Sequence, residues 1–166
     1  MKLCIVSDIH GSYKAHTIIK RIVPDADIYV DCGDSECSYE QIQKLKEDGW
    51  ICVRGNMDYI SNLEDKEYFT LAGFRFLVMH GNRITYRTFD EDVDIILRGH
   101  THVYRIEEYN KKTMINPGSY AKPRDYDMTY GYGEFCIMNI DNDKHFECER
   151  IIINLEQEYN KLRKRN

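Results

Sequence analysis

Short apolar runs alternate with longer amphipathic stretches through the first third of the chain. Residues 2–7 (KLCIVS) are almost continuously apolar, the pattern of a strand covered on both faces. Ile18, Ile19, Ile22 and Val23 then recur at helical spacing, which predicts a helix over residues 13–23 with Ser12 as its N-cap. Residues 28–32 and 50–54 read as the second and third strands, separated by a helix over residues 38–48 that Gly49 stops. A βαβαβ order of this kind predicts parallel strands joined by right-handed crossovers.

The pattern changes after residue 60. Residues 67–71 and 74–79 read as strands joined by a turn at Ala72-Gly73, and residues 94–97 as another. A short helix is expected over residues 85–92. Beyond Gly99 the chain reads as two hairpins: residues 103–109 and 113–115 around Asn110-Lys111, then 134–140 and 146–153 around 141–143. A charged terminal helix with a solvated face is expected over residues 155–166. The expectation is a mixed α/β sandwich of two sheets with helices outside, as one domain over residues 1–166.

Composition narrows the classes. The chain has 166 residues and a net charge of −5, which argues against nucleic acid as a stable partner. An acidic site still accepts a phosphoester when bound cations reverse the local field. None of the six cysteines forms a CxxC pair, and Cys4, Cys32 and Cys52 sit inside apolar runs, so a disulfide framework is not expected. The N-terminal apolar run meets Asp8 too early for a signal peptide, and no run reaches transmembrane length. A cytoplasmic protein without a membrane partner is expected.

The candidate chemistry sits where strands end. Asp8-Ile9-His10 follows the first strand, Gly33-Asp34 the second, and Gly55-Asn56-Met57-Asp58 the third. His80-Gly81 follows residues 74–79, and Gly99-His100-Thr101-His102 follows residues 94–97. Any one of these segments is commonplace: Gly-Asp is usually a turn. Five in succession, holding four of the six histidines, are harder to explain as solubilising loops. Ligand sites in open α/β sheets collect beyond the carboxyl ends of parallel strands. Carboxylates with imidazoles suit Mn, Fe, Co, Ni or Zn better than Ca or soft copper.

The ordered series DIH, GD, GNMD, HG and GHTH resembles the calcineurin-like metallophosphoesterase superfamily. Asn116-Pro117-Gly118-Ser119 extends the likeness towards its small single-domain bacterial and archaeal (YfcE-type) branch. The resemblance implies a four-layer α-β-β-α sandwich with two mixed β-sheets flanked by helices. It implies two divalent transition metal ions, Mn first and otherwise Ni, Fe, Co or Zn. Asp8, His10 and His102 would hold one ion, Asn56, His80 and His100 the other, and Asp34 would bridge them. A metal-bridging hydroxide would attack phosphorus, making the chain a phosphodiesterase of small phosphoesters. Asp34, Asn56, Asp58 and His80 would be its catalytic residues, with Asp58 orienting groups behind the ligands.

One departure has chemical consequences. Many members carry histidine at the position of Met57, and that histidine is thought to protonate the leaving group; methionine cannot. Poor leaving groups should therefore be disfavoured. Arg54 and Arg124, with Lys122 beside the latter, are candidate phosphate contacts, although Arg54 also suits a surface ion pair and residues 120–133 an ordinary surface loop. His16 and His145 read as structural or solvated. The alternatives are a phosphomonoesterase, a non-catalytic protein-interaction scaffold on the same fold, and a metal-binding regulator or storage protein. Family analogy admits a homodimer.

Overall fold

A computed structural model describes residues 1–12, 14–59, 62–90 and 92–164. The chain runs through β1 (Lys2–Val6), α1 (Ala15–Ile22), β2 (Ile28–Asp31), α2 (Tyr39–Glu47), β3 (Trp50–Cys52), β4 (Lys66–Leu71) and β5 (Phe74–Met79). A 3-10 helix over Tyr86–Asp90 follows, then β6 (Ile95–Leu97), β7 (Tyr104–Tyr109), β8 (Lys112–Pro117), β9 (Tyr132–Ile140), β10 (Phe146–Asn154) and α3 (Leu155–Arg163).

Among the described residues, ten strands form two five-stranded mixed sheets, ordered β10-β9-β1-β2-β3 and β4-β5-β6-β8-β7. In the first sheet β1, β2 and β3 are parallel, while β9 and β10 add an antiparallel hairpin beside β1. In the second, β5, β6 and β8 are parallel and are flanked by antiparallel β4 and β7.

Side-chain alternation along each strand separates the layers. Leu3, Ile5 and Val30 face Phe76, Val78, Ile95 and Leu97 between the sheets. Cys4 and Val6 point the other way, into a core with Ile18 and Ile19 of α1 and Ile42 and Leu45 of α2. Leu155, Tyr159 and Leu162 of α3 pack against that same core, which is the apolar stripe that the charged terminal segment hides. The outer face of the second sheet buries Leu77, Met79, Ile96 and Met114 under Val93, Ile84 and Phe89. The short helix expected over residues 85–92 is there as a 3-10 helix over Tyr86–Asp90.

Two local details bear on the sequence reading. α2 begins as read, with a capping box: Gln41 N donates to Ser38 Oγ at 3.3 Å and Ser38 N to Gln41 Oε1 at 2.7 Å. Ser12 does not cap α1. The N-cap is Lys14, without a side-chain cap bond, and Ser12 closes the preceding turn through its carbonyl, 2.7 Å from Ala15 N. Tyr13, the first residue of the expected helix, lies outside the described residues. All six cysteines are free thiols. No helix among the described residues is long and apolar enough to cross a membrane.

Candidate metal centre

The carboxyl ends of β1, β2, β3, β5 and β6 open on one side of the sandwich, and the loops that leave them carry the polar series. Strain concentrates there. Asp8, His10, Asp34, His100 and His102 all have positive φ, between 48° and 72°. This conformation costs an L-residue roughly 1–2 kcal/mol, so other contacts must hold it in place. Asp8 N donates to Gly33 O at 3.0 Å, and Ser119 Oγ donates to Asp8 O at 2.8 Å. His10 N donates to Asp34 O at 2.9 Å.

The loops also approach at distances only glycine allows. A Cβ on Gly55 would stand 2.0 Å from Asp34 Oδ1 and 2.3 Å from Asp34 N. On Gly99 it would stand 1.7 Å from Ser7 Oγ and 2.6 Å from Asp8 Oδ2.

Two groups of donor atoms result. Asp8, His10 and His102 bring ligand atoms within 4.8 Å of one another, and so do Asp8, Asp34 and His80. Asp8 Oδ1 is 3.1 Å from His102 Nε2 and 4.0 Å from Nε2 of both His10 and His80. His80 Nε2 is 3.2 Å from Asp34 Oδ2. Asp8 belongs to both groups, and Asp34, the bridge that the resemblance implies, belongs to the second with His80.

The histidine rings are fixed from behind. His102 Nδ1 lies 2.7 Å from Lys122 O and His80 Nδ1 2.9 Å from Cys32 O. A carbonyl only accepts, so each Nδ1 carries a proton and each Nε2 is turned to the centre. His10 Nδ1 meets Glu36 Oε1 at 2.7 Å, which orients its Nε2 the same way. Histidines that ligate metals typically have such partners on the far nitrogen.

A family profile described as the Calcineurin-like phosphoesterase superfamily domain matches residues 1–143. The chain belongs to the calcineurin-like phosphoesterase superfamily. It is 31% identical over 153 residues to "Probable metallophosphoesterase YsnB" of Bacillus subtilis (strain 168), covering 86% of each chain. Among solved structures it resembles the phosphoesterase Yfce of E. coli, with a TM-score of 0.65 and 21% identity over 93% of this chain and all (100%) of that one. It also resembles an archaeal phosphodiesterase, with a TM-score of 0.66 and 20% identity over 92% of this chain and 100% of that one. These structural likenesses establish the shared two-sheet fold.

The donor set of this calcineurin-like domain fits the divalent cations of its family. Asp8 Oδ1 and His80 Nε2 are buried and lack a hydrogen-bond partner. Buried polar atoms are rarely left so, because each costs about 1–3 kcal/mol. Both point into a cluster of carboxylate and imidazole atoms, where a cation would satisfy them together. Charge follows the same geometry. Burial pushes the Asp34 carboxyl up, but His80 and the Met57 N–H outweigh it and hold it below the usual range. Burial works against a charged His80, yet Asp34 and Asp8 raise its pKa. His100 is lowered by burial and by neighbouring His80.

The other candidates stand further out. Asn56 is exposed on the wall of a cavity that His80 also lines. His100 is exposed, its ring centroid 5.3 Å from that of His80, and its N–H donates to Asp8 Oδ2 at 3.0 Å. Asp58 is buried and accepts from Asp34 N and Gly55 N at 2.8 Å and from Glu36 N at 2.7 Å. It ties the loops after β2 and β3 together. Arg54 is ion-paired with Asp65 at 2.7 Å on the same cavity wall. Lys122 and Arg124 reach the centre through backbone only: Arg124 N donates to His102 O at 2.8 Å, and both side chains are exposed.

Sequence reading missed two supports. Glu36 follows Asp34 by two residues and has no motif of its own, so nothing marked it. Asn116 Nδ2 donates to Gly99 O at 2.8 Å and Thr101 Oγ1 at 3.0 Å, bracing the loop of His100 and His102. The Asn-Pro-Gly-Ser segment was the available signal for that second one.

Proposed function

We propose that this chain is a dinuclear metal-dependent phosphodiesterase acting on small phosphoesters. The observation that carries the reading is the convergence of Asp8, His10 and His102, and of Asp8, Asp34 and His80, into two overlapping groups of donor atoms. Asp8, His10 and His102 would hold one ion and Asn56, His80 and His100 the other, with Asp34 between them and Asp8 close to both groups. Manganese fits this mixed carboxylate–imidazole set, as do Ni, Fe, Co and Zn.

Two such cations supply positive charge for phosphoryl oxygens and make a water nucleophilic near neutral pH. The protein's own part is placement. Backbone N–H groups and Asp58 hold the aspartates, carbonyl partners fix the histidine tautomers, and the cavity beside Asn56 and His80 receives the ester. A small substrate suits a cavity of about 420 Å³.

The deciding experiment is hydrolysis of bis-aryl and mono-aryl phosphates by apo protein refilled with Mn, Ni, Zn or Mg, with Asp34→Ala as control. Diester turnover restored by a transition metal and lost in the control is expected. Activity in the control equal to the parent would remove Asp34 from the centre. Metal uptake without turnover of either ester would favour the interaction-scaffold reading.

A further inference from the structure

Beside the proposed metal centre lies a cavity of about 420 Å³, whose wall includes Asn56 and His80. Ligand pockets commonly fall in this size range. Its far side is cationic, although the chain as a whole carries a net charge of −5. Arg54, Lys66 and Arg83 all line it.

The topology brings them together. Arg54 leaves the end of β3 in the first sheet, and Arg83 follows His80 after β5 in the second. β4 runs antiparallel to β5 with Lys66 opposite Met79, so Asp65 and Lys66 lie at the same end of the second sheet as the metal centre.

Asp65 organises the two arginines. Its Oδ1 accepts from Arg54 Nε at 2.9 Å and Nη2 at 2.7 Å, and its Oδ2 from Arg83 Nη1 at 3.2 Å. One carboxylate thus clamps two guanidiniums and neutralises one of them. Arg54 keeps Nη1 and Arg83 keeps Nε and Nη2 outside these bonds. Asp58, the other acid in the wall, is buried with its oxygens on backbone N–H groups. The cavity therefore offers forked guanidinium donors next to the place where a phosphoester would react. Guanidinium forks match phosphate oxygens in pairs.

We infer that Arg54 and Arg83 form a second anion subsite, and that the substrate is a diester with a further phosphate monoester on one arm. The inference rests on the phosphodiesterase reading and names its substrate class. A plain surface ion pair is the competing account, and such pairs contribute little to anything.

The test compares 4-nitrophenyl diesters whose second arm, two to five carbons long, ends in a phosphate, a carboxylate or a hydroxyl. With Mn-loaded protein, kcat/KM for the phosphate arm should exceed that for the hydroxyl arm by about tenfold at the best length, the scale of a charge-assisted contact. Arg83→Gln and Arg54→Gln should bring the ratio close to one. Asp65→Asn should raise the ratio, because it releases both guanidiniums; an ion pair that merely holds the loops would instead lower it. Equal rates at every length, a ratio untouched by Arg83→Gln, or a fall in Asp65→Asn would overturn the subsite. A carboxylate arm preferred as strongly as phosphate would overturn the phosphate assignment.

If no diester is hydrolysed, the phosphodiesterase reading fails, and binding decides the subsite separately. Calorimetry would then compare alkanediol bisphosphates with the matching monophosphates on Mn-loaded protein. A tenfold preference lost in Arg83→Gln supports it, and equal affinity overturns it.

Discussion

Oδ1 of Asp8 lies 3.1 Å from Nε2 of His102, and no hydrogen bond completes it. The same oxygen stands 4.0 Å from Nε2 of His80, in the other donor group. A ligand common to two sites should matter to both. Asp8→Ala is expected to leave the protein with no tightly held ion, and His102→Ala with one of two. Elemental analysis after dialysis reads the count directly. One ion retained in Asp8→Ala would confine Asp8 to the site of His10 and His102. Saturating Mn should also raise the parent Tm by about 5–10 °C, as expected for a ligand present at a hundredfold its Kd, and the gain should vanish in Asp8→Ala.

The raised pKa of His80 gives metal uptake a proton cost. Buried as it is, the ring is held charged by Asp34 and Asp8 above its ordinary value of 6.5. Without metal, that shift contributes stability that is full below pH 6.5 and is lost as pH rises through the folded value. A cation needs the bare Nε2, so binding must expel the proton. Apparent Mn affinity should therefore rise with pH across and above the ordinary histidine range. Calorimetry in buffers of different ionisation enthalpy would show protons released on binding at pH 6.5 and fewer at pH 8.5. Release that does not change with pH would exclude His80 as a ligand.

How legible the molecule was depends on the range of the forces involved. Strand β1 and helix α2 follow from nearby residues, through apolar patterning and the Ser38–Gln41 box, and both were read within one or two positions. The polar series was legible because strand ends are local features. What could not be read were contacts set by loop geometry: Glu36 behind His10, Asp65 between two arginines, and the sharing of Asp8. The short helix expected over residues 85–92 is present as a 3-10 helix over Tyr86–Asp90, with Phe89 partly buried against the sheet.

The glycines test whether loop approach, rather than flexibility, builds the centre. A Cβ at Gly55 would collide with the backbone N of Asp34, 2.3 Å away, and this atom cannot rotate aside. Gly55→Ala should lower stability by about 3 kcal/mol or more and weaken metal uptake together with it. Gly11 has φ of 73° but nothing within 4 Å of a Cβ, so Gly11→Ala should cost only the backbone term, about 1 kcal/mol. Denaturant melts of the two variants give the contrast, and equal losses would contradict it.

One buried carboxyl away from the metal centre has its own pH dependence. Glu134 is fully buried, with Oε2 2.6 Å from Arg150 Nε and Oε1 unpartnered in the space that Gly118 leaves by lacking a Cβ. Burial, with Asp125 nearby, pushes its pKa from 4.5 to about 7 despite Arg150. Between these values the folded protein keeps a proton that the unfolded chain has lost. Stability from this group is thus full below pH 4.5 and declines as pH rises through about 7. Relative to Glu134→Gln, the parent should lose on the order of 2 kcal/mol across that window, after allowing for solvent screening. Parallel melts at pH 5 and pH 8 measure it, and a pH-independent difference would refute it.

Met57 sets the last expectation, which concerns the leaving group. Its N–H donates to Asp34 Oδ1 at 2.7 Å, so the residue is fixed at the edge of the centre, half-buried. Its sulfur accepts weakly from Tyr59 Oη at 3.6 Å and has no proton to give. An aryl oxide departs as a stable anion and needs none, whereas an alkoxide does. General acids typically contribute about 10²–10⁴-fold where a proton is required. The parent should therefore hydrolyse aryl esters far faster than alkyl esters. Met57→His places an ionisable ring on the same backbone anchor and should narrow that gap, chiefly by raising kcat on alkyl esters, with an acid limb in the pH profile that the parent lacks. Equal aryl and alkyl rates in the parent would mean that another group already protonates the leaving oxygen.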